Sequence, residues 1–176
     1  MQLSLVAVTI LLALSSIHAE ISLTEILSNL QDVAALAIEV YGLVDNLDLT
    51  TILTSAPEII DDITQIVSNI TEISSEIGGG ITTSSEGDVD ESDICNGLDK
   101  FLGEISNVTD TITDKADTFS GIPFGGALSG IMGTAKDGIQ DFGTGILSNV
   151  PSCNGTGQDS LEKTMKSFET CITKLG

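Results

Sequence analysis

Apolar residues recur along this chain in steps of three and four, the spacing of one face of an α-helix. The first run is Leu23, Ile26, Leu27, Leu30, Val33, Ala34, Ala37, Val40, Tyr41 and Val44, with stop signals at Gly42 and Asp45-Asn46. The second segment opens with Ser55-Ala-Pro57-Glu58, which has capping-box spacing with proline in the first turn. Glu58, Asp61 and Asp62 then fall where a helix dipole favours negative charge. Ile59, Ile63, Ile66, Ile70, Ile73 and Ile77 follow as a heptad seam, widened by Ile60 and Val67 and ended by Gly78-Gly79-Gly80.

Residues 78–92 are rich in glycine, serine and acid, and read as a flexible acidic linker. It joins two helical halves of one domain, because neither half is large enough for a robust core of its own. A third helix is expected from Ser92 or Asp93, with Ile94, Leu98, Phe101, Ile105, Val108, Ile112 and Phe119 inward. A fourth is expected from about Pro123 to Asn149, with Phe124, Leu128, Ile131, Ala135, Ile139, Phe142, Ile146 and Val150 inward. The fifth, capped by Asp159 or Ser160, carries Leu161, Met165, Phe168, Ile172 and Leu175. The predicted fold is all-α: an antiparallel bundle of about five amphipathic helices.

The fourth helix holds seven glycines between Gly125 and Gly145. Each costs about 1 kcal/mol of helix stability relative to alanine. Gly126-x-x-x-Gly130 suggests close helix packing; the other reading is a wall that deforms to admit a ligand.

Residues 1–19 are apolar and uncharged apart from His18, and read as a signal peptide cut after Ala19, although a basic start is missing. Residues 20–176 would then form the mature domain, which contains no further run long enough to span a membrane. The expected location is secreted, extracellular or in a cell wall. Sequons at Asn69, Asn107 and Asn154 are candidate glycosylation sites in that compartment.

Cys95, Cys153 and Cys171 are an odd set for an oxidising compartment. In an up-down bundle the start of the third helix lies near the end of the fourth, so a Cys95–Cys153 bridge is expected. Cys171 would then lie towards the other end, spare, and able to link two chains covalently.

Charge narrows the function. The chain has 176 residues and a net charge of −20, with no arginine, which argues against nucleic acid as a partner. Residues 1–99 hold 17 acids and no lysine, whereas residues 100–176 hold 9 acids and 6 lysines. Such asymmetry reads as a solvated outer face. The lone histidine leaves with the signal peptide, so histidine-based catalysis is excluded and no enzyme activity is expected. No zinc spacing is present. The acidic stretch Glu86–Asp93 imitates part of a calcium loop, but Asp93 stands where that loop needs glycine and Asp99 where it needs glutamate. Neither metal nor cofactor is expected.

Three stretches resemble the fungal hydrophobic surface-binding protein A family, with cell-wall mannoproteins as relatives. They are the aliphatic string from Leu23 to Leu36, the run IIDDITQIVSNI from Ile59 to Ile70, and FGTGILSNVPSC from Phe142 to Cys153. The resemblance extends over nearly all of the mature chain. It implies a non-enzymatic extracellular bundle that adsorbs to hydrophobic surfaces or holds lipid or fatty-acyl ligands in its apolar interior. Candidate lining residues are Ile63, Ile66, Ile70, Leu98, Ile105, Leu128, Ile131 and Phe142. The alternative is a secreted structural or interaction protein, an effector or coat component, with a fully packed core and no ligand.

Overall fold

The structure, a computed structural model, describes residues 21–48, 50–82, 89–120, 122 and 125–176. The expected signal peptide, Pro123, Phe124 and the middle of the acidic linker (83–88) lie outside the described residues. Among the described residues there are six helices: α1 (Leu23–Asp45), α2 (Ile52–Ile77), α3 (Glu91–Asp114), a short α4 (Ala116–Ser120), α5 (Gly125–Asn149) and α6 (Thr156–Leu175). A 3-10 turn, Pro151–Cys153, links α5 to α6.

Helix boundaries follow local chemistry. Ser22 caps α1 through a capping box with Glu25, and Asn46 Nδ2 closes its other end on the Gly42 carbonyl at 2.7 Å. The second helix starts at Ile52, ahead of the predicted Ser55–Glu58 cap, so Pro57 lies inside it. The reason is burial: Ile52 and Ala56 extend the Ile59 face inward. An Asp48 turn supplies the start, its carboxylate accepting from the backbone N–H groups of Thr50 at 2.8 Å and Thr51 at 2.9 Å. Asp90 and Asp93 form a reciprocal capping box on α3, which starts at Glu91 inside the expected linker; the box gives the linker acid Asp90 a structural task. The third helix breaks at Lys115 before reaching Phe119, which is buried from α4 instead. The last helix begins at Thr156 after Gly155, whose φ of 111° suits glycine, rather than at Asp159 or Ser160.

The helices run alternately up and down. Residues Ile21–Ser22 (β1) and Ile81–Thr82 (β2) pair in parallel and tie the start of α1 to the chain leaving α2. Direct packing links α1 with α2, α2 with α5, α5 with α6, α6 with α3, and α3 with α1. The five long helices therefore close a ring. One continuous aliphatic core fills it, and Phe101 of α3 meets Phe142 of α5 edge-on, with ring centroids 5.7 Å apart. Lys115 ties α3 to the α1–α2 corner by donating to the carbonyls of Asp45 at 3.2 Å and Leu47 at 3.1 Å.

Three stripes are rotated from expectation. Tyr41 faces solvent, because Ala37, Val40 and Val44 already fill its sector. On α5 the buried position is Met132, with Ile131 at its margin. On α6 the fully inward series is Leu161, Thr164, Phe168, Cys171 and Leu175, with Met165 and Ile172 half-buried beside it. Gly126 and Gly130, expected at a close helix contact, face open space. The close approaches are further along: a Cβ on Gly143 would lie 2.9 Å from a Leu161 methyl, and one on Gly145 would lie 3.3 Å from Ile77 Cγ2.

Candidate functional site

Of the eight candidate lining residues, Ile63, Ile66 and Ile70 sit on α2, Leu98 and Ile105 on α3, and Leu128, Ile131 and Phe142 on α5. All are buried in one core except Ile131, which is half-buried against it. The fold thus gathers them, but into packed interior: none lines the surface grooves described below.

The bridge between Cys95 and Cys153 is formed, with the two Cα atoms 5.0 Å apart. It anchors α3 to the turn before α6. Up the same seam, Ser160 bonds Asp99, the buried hydroxyls of Ser106 and Thr164 lie 3.0 Å apart, and Thr164 also donates to the Leu102 carbonyl at 3.1 Å. The seam ends at Cys171, which is fully buried and contacts Thr113. Burial pushes its thiol pKa up to about 11. The expected covalent dimer through Cys171 is therefore corrected: a protonated thiol inside the core offers no surface nucleophile.

Among the described residues, grooves mark the surface in at least three places. Two lie along the α5–α6 seam and share Thr144, Leu161 and Glu162. The lower, about 470 Å³, reaches Leu147 and Pro151. The upper, about 310 Å³, reaches Met165, Lys166 and Glu169. Lys136 of α5 clamps Glu169 of α6 at 2.9 Å at that upper end. The third groove, about 290 Å³ between α1 and α2, is polar, with Asp32, Glu72 and Glu76 on its walls.

Electrostatics separate these faces. The α1–α2 side belongs to the half without lysine. Asp62 there has its pKa raised, first by partial burial and then by Glu58, Glu39 and Asp61. The α5–α6 side carries four of the six lysines on its two helices. The sequons distribute differently: Asn107 and Asn154 are exposed, Asn69 is half-buried, and Asn154 and Asn69 stand on the lower α5–α6 groove and the α1–α2 groove respectively. Among the described residues no group of three or more histidine, cysteine, aspartate or glutamate side chains is arranged to hold a metal ion. Nor is any described helix long and apolar enough to cross a membrane.

No protein-family profile matches the chain, and no curated protein matches it by sequence. A solved structure does match. The crystal structure of AfMP4p in complex with palmitic acid superposes with a TM-score of 0.75 at 15% sequence identity, over 88% of this chain and 99% of that one. At that identity the likeness is one of fold: the two chains share a helical-bundle architecture.

Sequence reasoning placed Leu161 and Met165 on an inward stripe and did not mark the α5–α6 groove. Two signals pointed there: Gly143, which lowers the wall opposite Leu161, and the confinement of lysine to the second half of the chain.

Proposed function

We propose that this chain is an exported, non-enzymatic binding protein for long-chain fatty-acyl ligands and hydrophobic surfaces. The observation that carries the reading is its likeness in fold to a helical protein whose structure holds palmitic acid. Composition supports it as well. The interior is built from aliphatic side chains, and burial of acyl chain against them is worth about 25 cal/mol per Å². The one histidine, His18, lies in the expected signal peptide, which leaves the exported chain without the side chain most often used for acid–base catalysis near neutral pH. Export, cell-wall location and glycans at Asn69, Asn107 and Asn154 belong to the same proposal.

The test is displacement of a fluorescent fatty acid by palmitate, with melting followed in parallel. Saturable binding and a rise in melting temperature are expected; at a hundredfold excess over Kd the stabilisation is about 2.7 kcal/mol. Absence of saturable displacement overturns the reading. A ligand-free interaction protein is the competing one, favoured by the seating of Phe101 against Phe142 inside the ring. Mass spectrometry of the exported protein checks cleavage after Ala19 and the glycans together.

A further inference from the structure

Resting on the fatty-acyl reading above, we infer that the seam between α1 and α2 is the gate of the helical ring: these two helices part, and an acyl chain passes between them to and from the interior. The five long helices close a ring around a packed core, with Phe101 against Phe142 at its middle. A chain that reaches this interior has to separate two neighbouring helices, and the seam that yields is the one held least.

The other four seams are held. Helices α3 and α6 are joined by the Cys95–Cys153 bridge to the turn before α6, and by the bonds Ser160–Asp99, Ser106–Thr164 and Thr164–Leu102. Helices α5 and α6 are clamped by the Lys136–Glu169 ion pair at 2.9 Å, with Leu161 over Gly143. Glycine lets the other two pairs close. A Cβ on Gly97 of α3 would lie 3.0 Å from Leu27 and 3.3 Å from Leu30 of α1, and one on Gly145 of α5 would lie 3.3 Å from Ile77 of α2.

Between α1 and α2 the balance is reversed. Packing is sparsest there, and among the described residues no side-chain hydrogen bond or ion pair crosses from one helix to the other. Instead, like charges stand on opposite walls: Asp32 of α1 shares a groove of about 290 Å³ with Glu72 and Glu76 of α2. Further along, Glu39 of α1 acts on Asp62 of α2, whose pKa is raised first by burial and then by Glu58, Glu39 and Asp61. Residues 1–99 hold no lysine to offset these acids, so the walls repel each other. The floor of the groove is Val33 and Ile73, both members of the buried core, so a small parting of the walls reaches the interior.

The ends of the seam stay pinned. At one, β1 pairs with β2 and the Ile21 N–H donates to the Gly80 carbonyl at 3.2 Å. At the other, Lys115 holds the carbonyls of Asp45 and Leu47. Opening is therefore a slit between fixed ends. Pro57, which takes one backbone hydrogen bond from α2, gives that helix a place to bend.

Uptake and release of a fluorescent fatty acid, followed by stopped flow in variants of the full chain, test the gate. Glu72→Lys turns the repulsion of Asp32 into attraction and draws the seam shut. It is expected to slow uptake and release alike by about two- to fivefold, the effect of one exposed ion pair. The reference is Asp141→Lys, which makes the same change of charge at an exposed position of α5. Glu72→Gln, which only removes the repulsion, is expected to fall between the two. In about 1 M salt, where charges are screened beyond about 3 Å, the differences should vanish. Rates in both Glu72 variants equal to those of Asp141→Lys overturn the gate and leave fatty-acyl binding standing. Faster uptake with unchanged release overturns it too, since that marks attraction of the carboxylate to a less acidic surface. If the natural chain takes up no fatty acid, the functional reading itself falls and the gate falls with it.

Discussion

Replacing Phe142 by alanine probes the centre of the ring. Phe142 and Phe101 are both buried, and their rings meet at right angles across helices that are not neighbours in the ring. Truncating a buried phenylalanine costs about 3–5 kcal/mol through lost transfer energy and the cavity left behind. The edge-on pair accounts for about 0.5–1.5 kcal/mol of that. Phe101→Ala should cost a similar total, and the double variant should cost less than the two singles together by about 1 kcal/mol, since the pair is lost only once. Total stabilities of small domains are about 5–15 kcal/mol. The four chains are therefore best compared by urea unfolding in sucrose, which strengthens burial and keeps the double variant folded. Additivity to within about 0.3 kcal/mol would refute the packing argument, because it would mean that the rings do not touch. The same Phe142→Ala chain addresses the ligand. A palmitate tail at the ring centre would gain room and bind this chain more tightly, whereas an unchanged affinity would place the tail elsewhere.

Other measurements reach the remaining features. The Cys95–Cys153 bridge closes a separation of 58 residues, and chain entropy assigns such a loop about 4 kcal/mol; reduction should lower the urea midpoint accordingly, and an unmoved midpoint contradicts it. Asp62 has a raised pKa, so its ionised form is disfavoured in the fold and acidification through the carboxylate range relieves the strain. Asp62→Asn should therefore melt higher than the natural chain near pH 7, with the gap closing towards about pH 3; a gap independent of pH removes the electrostatic explanation. Asp48 shows the opposite sign. Its carboxylate is held at about 2 by the Thr50 and Thr51 hydrogen bonds, so Asp48→Ala should melt lower at neutral pH and lose that deficit as pH falls through about 2. Cys171, buried with its thiol pushed up to about 11, should resist alkylation in the folded chain and react once per chain in denaturant; rapid labelling of folded protein contradicts its burial.

Much of the fold was legible along the chain, for reasons visible in particular residues. The Ile59–Ile77 seam is wholly buried, because a heptad of isoleucines leaves one orientation that removes it from water. The Cys95–Cys153 pairing followed from alternating helix direction alone. Boundaries were less legible. The Ser55–Glu58 cap signal was locally sound, yet burying Ile52 and Ala56 outweighed it and left Pro57 inside the helix. Stripe edges were also misplaced, at Tyr41, Ile131 and Met165, since an inward stripe is wide and a small rotation exchanges its flanks.

Taken alone, then, the order of residues determined the helices, their inward faces, the alternating direction and the uneven distribution of charge. Each is set by neighbours three or four positions apart, or by simple counting, so no distant contact is needed to read it. Only the tertiary structure decided that α3 closes the ring between α1 and α6, that Phe101 meets Phe142, and that Leu161 settles over Gly143 beside Lys166. Those facts join residues 18 to 70 positions apart on different helices. They depend on how the helices rotate and cross as they pack, and helical periodicity carries no record of that.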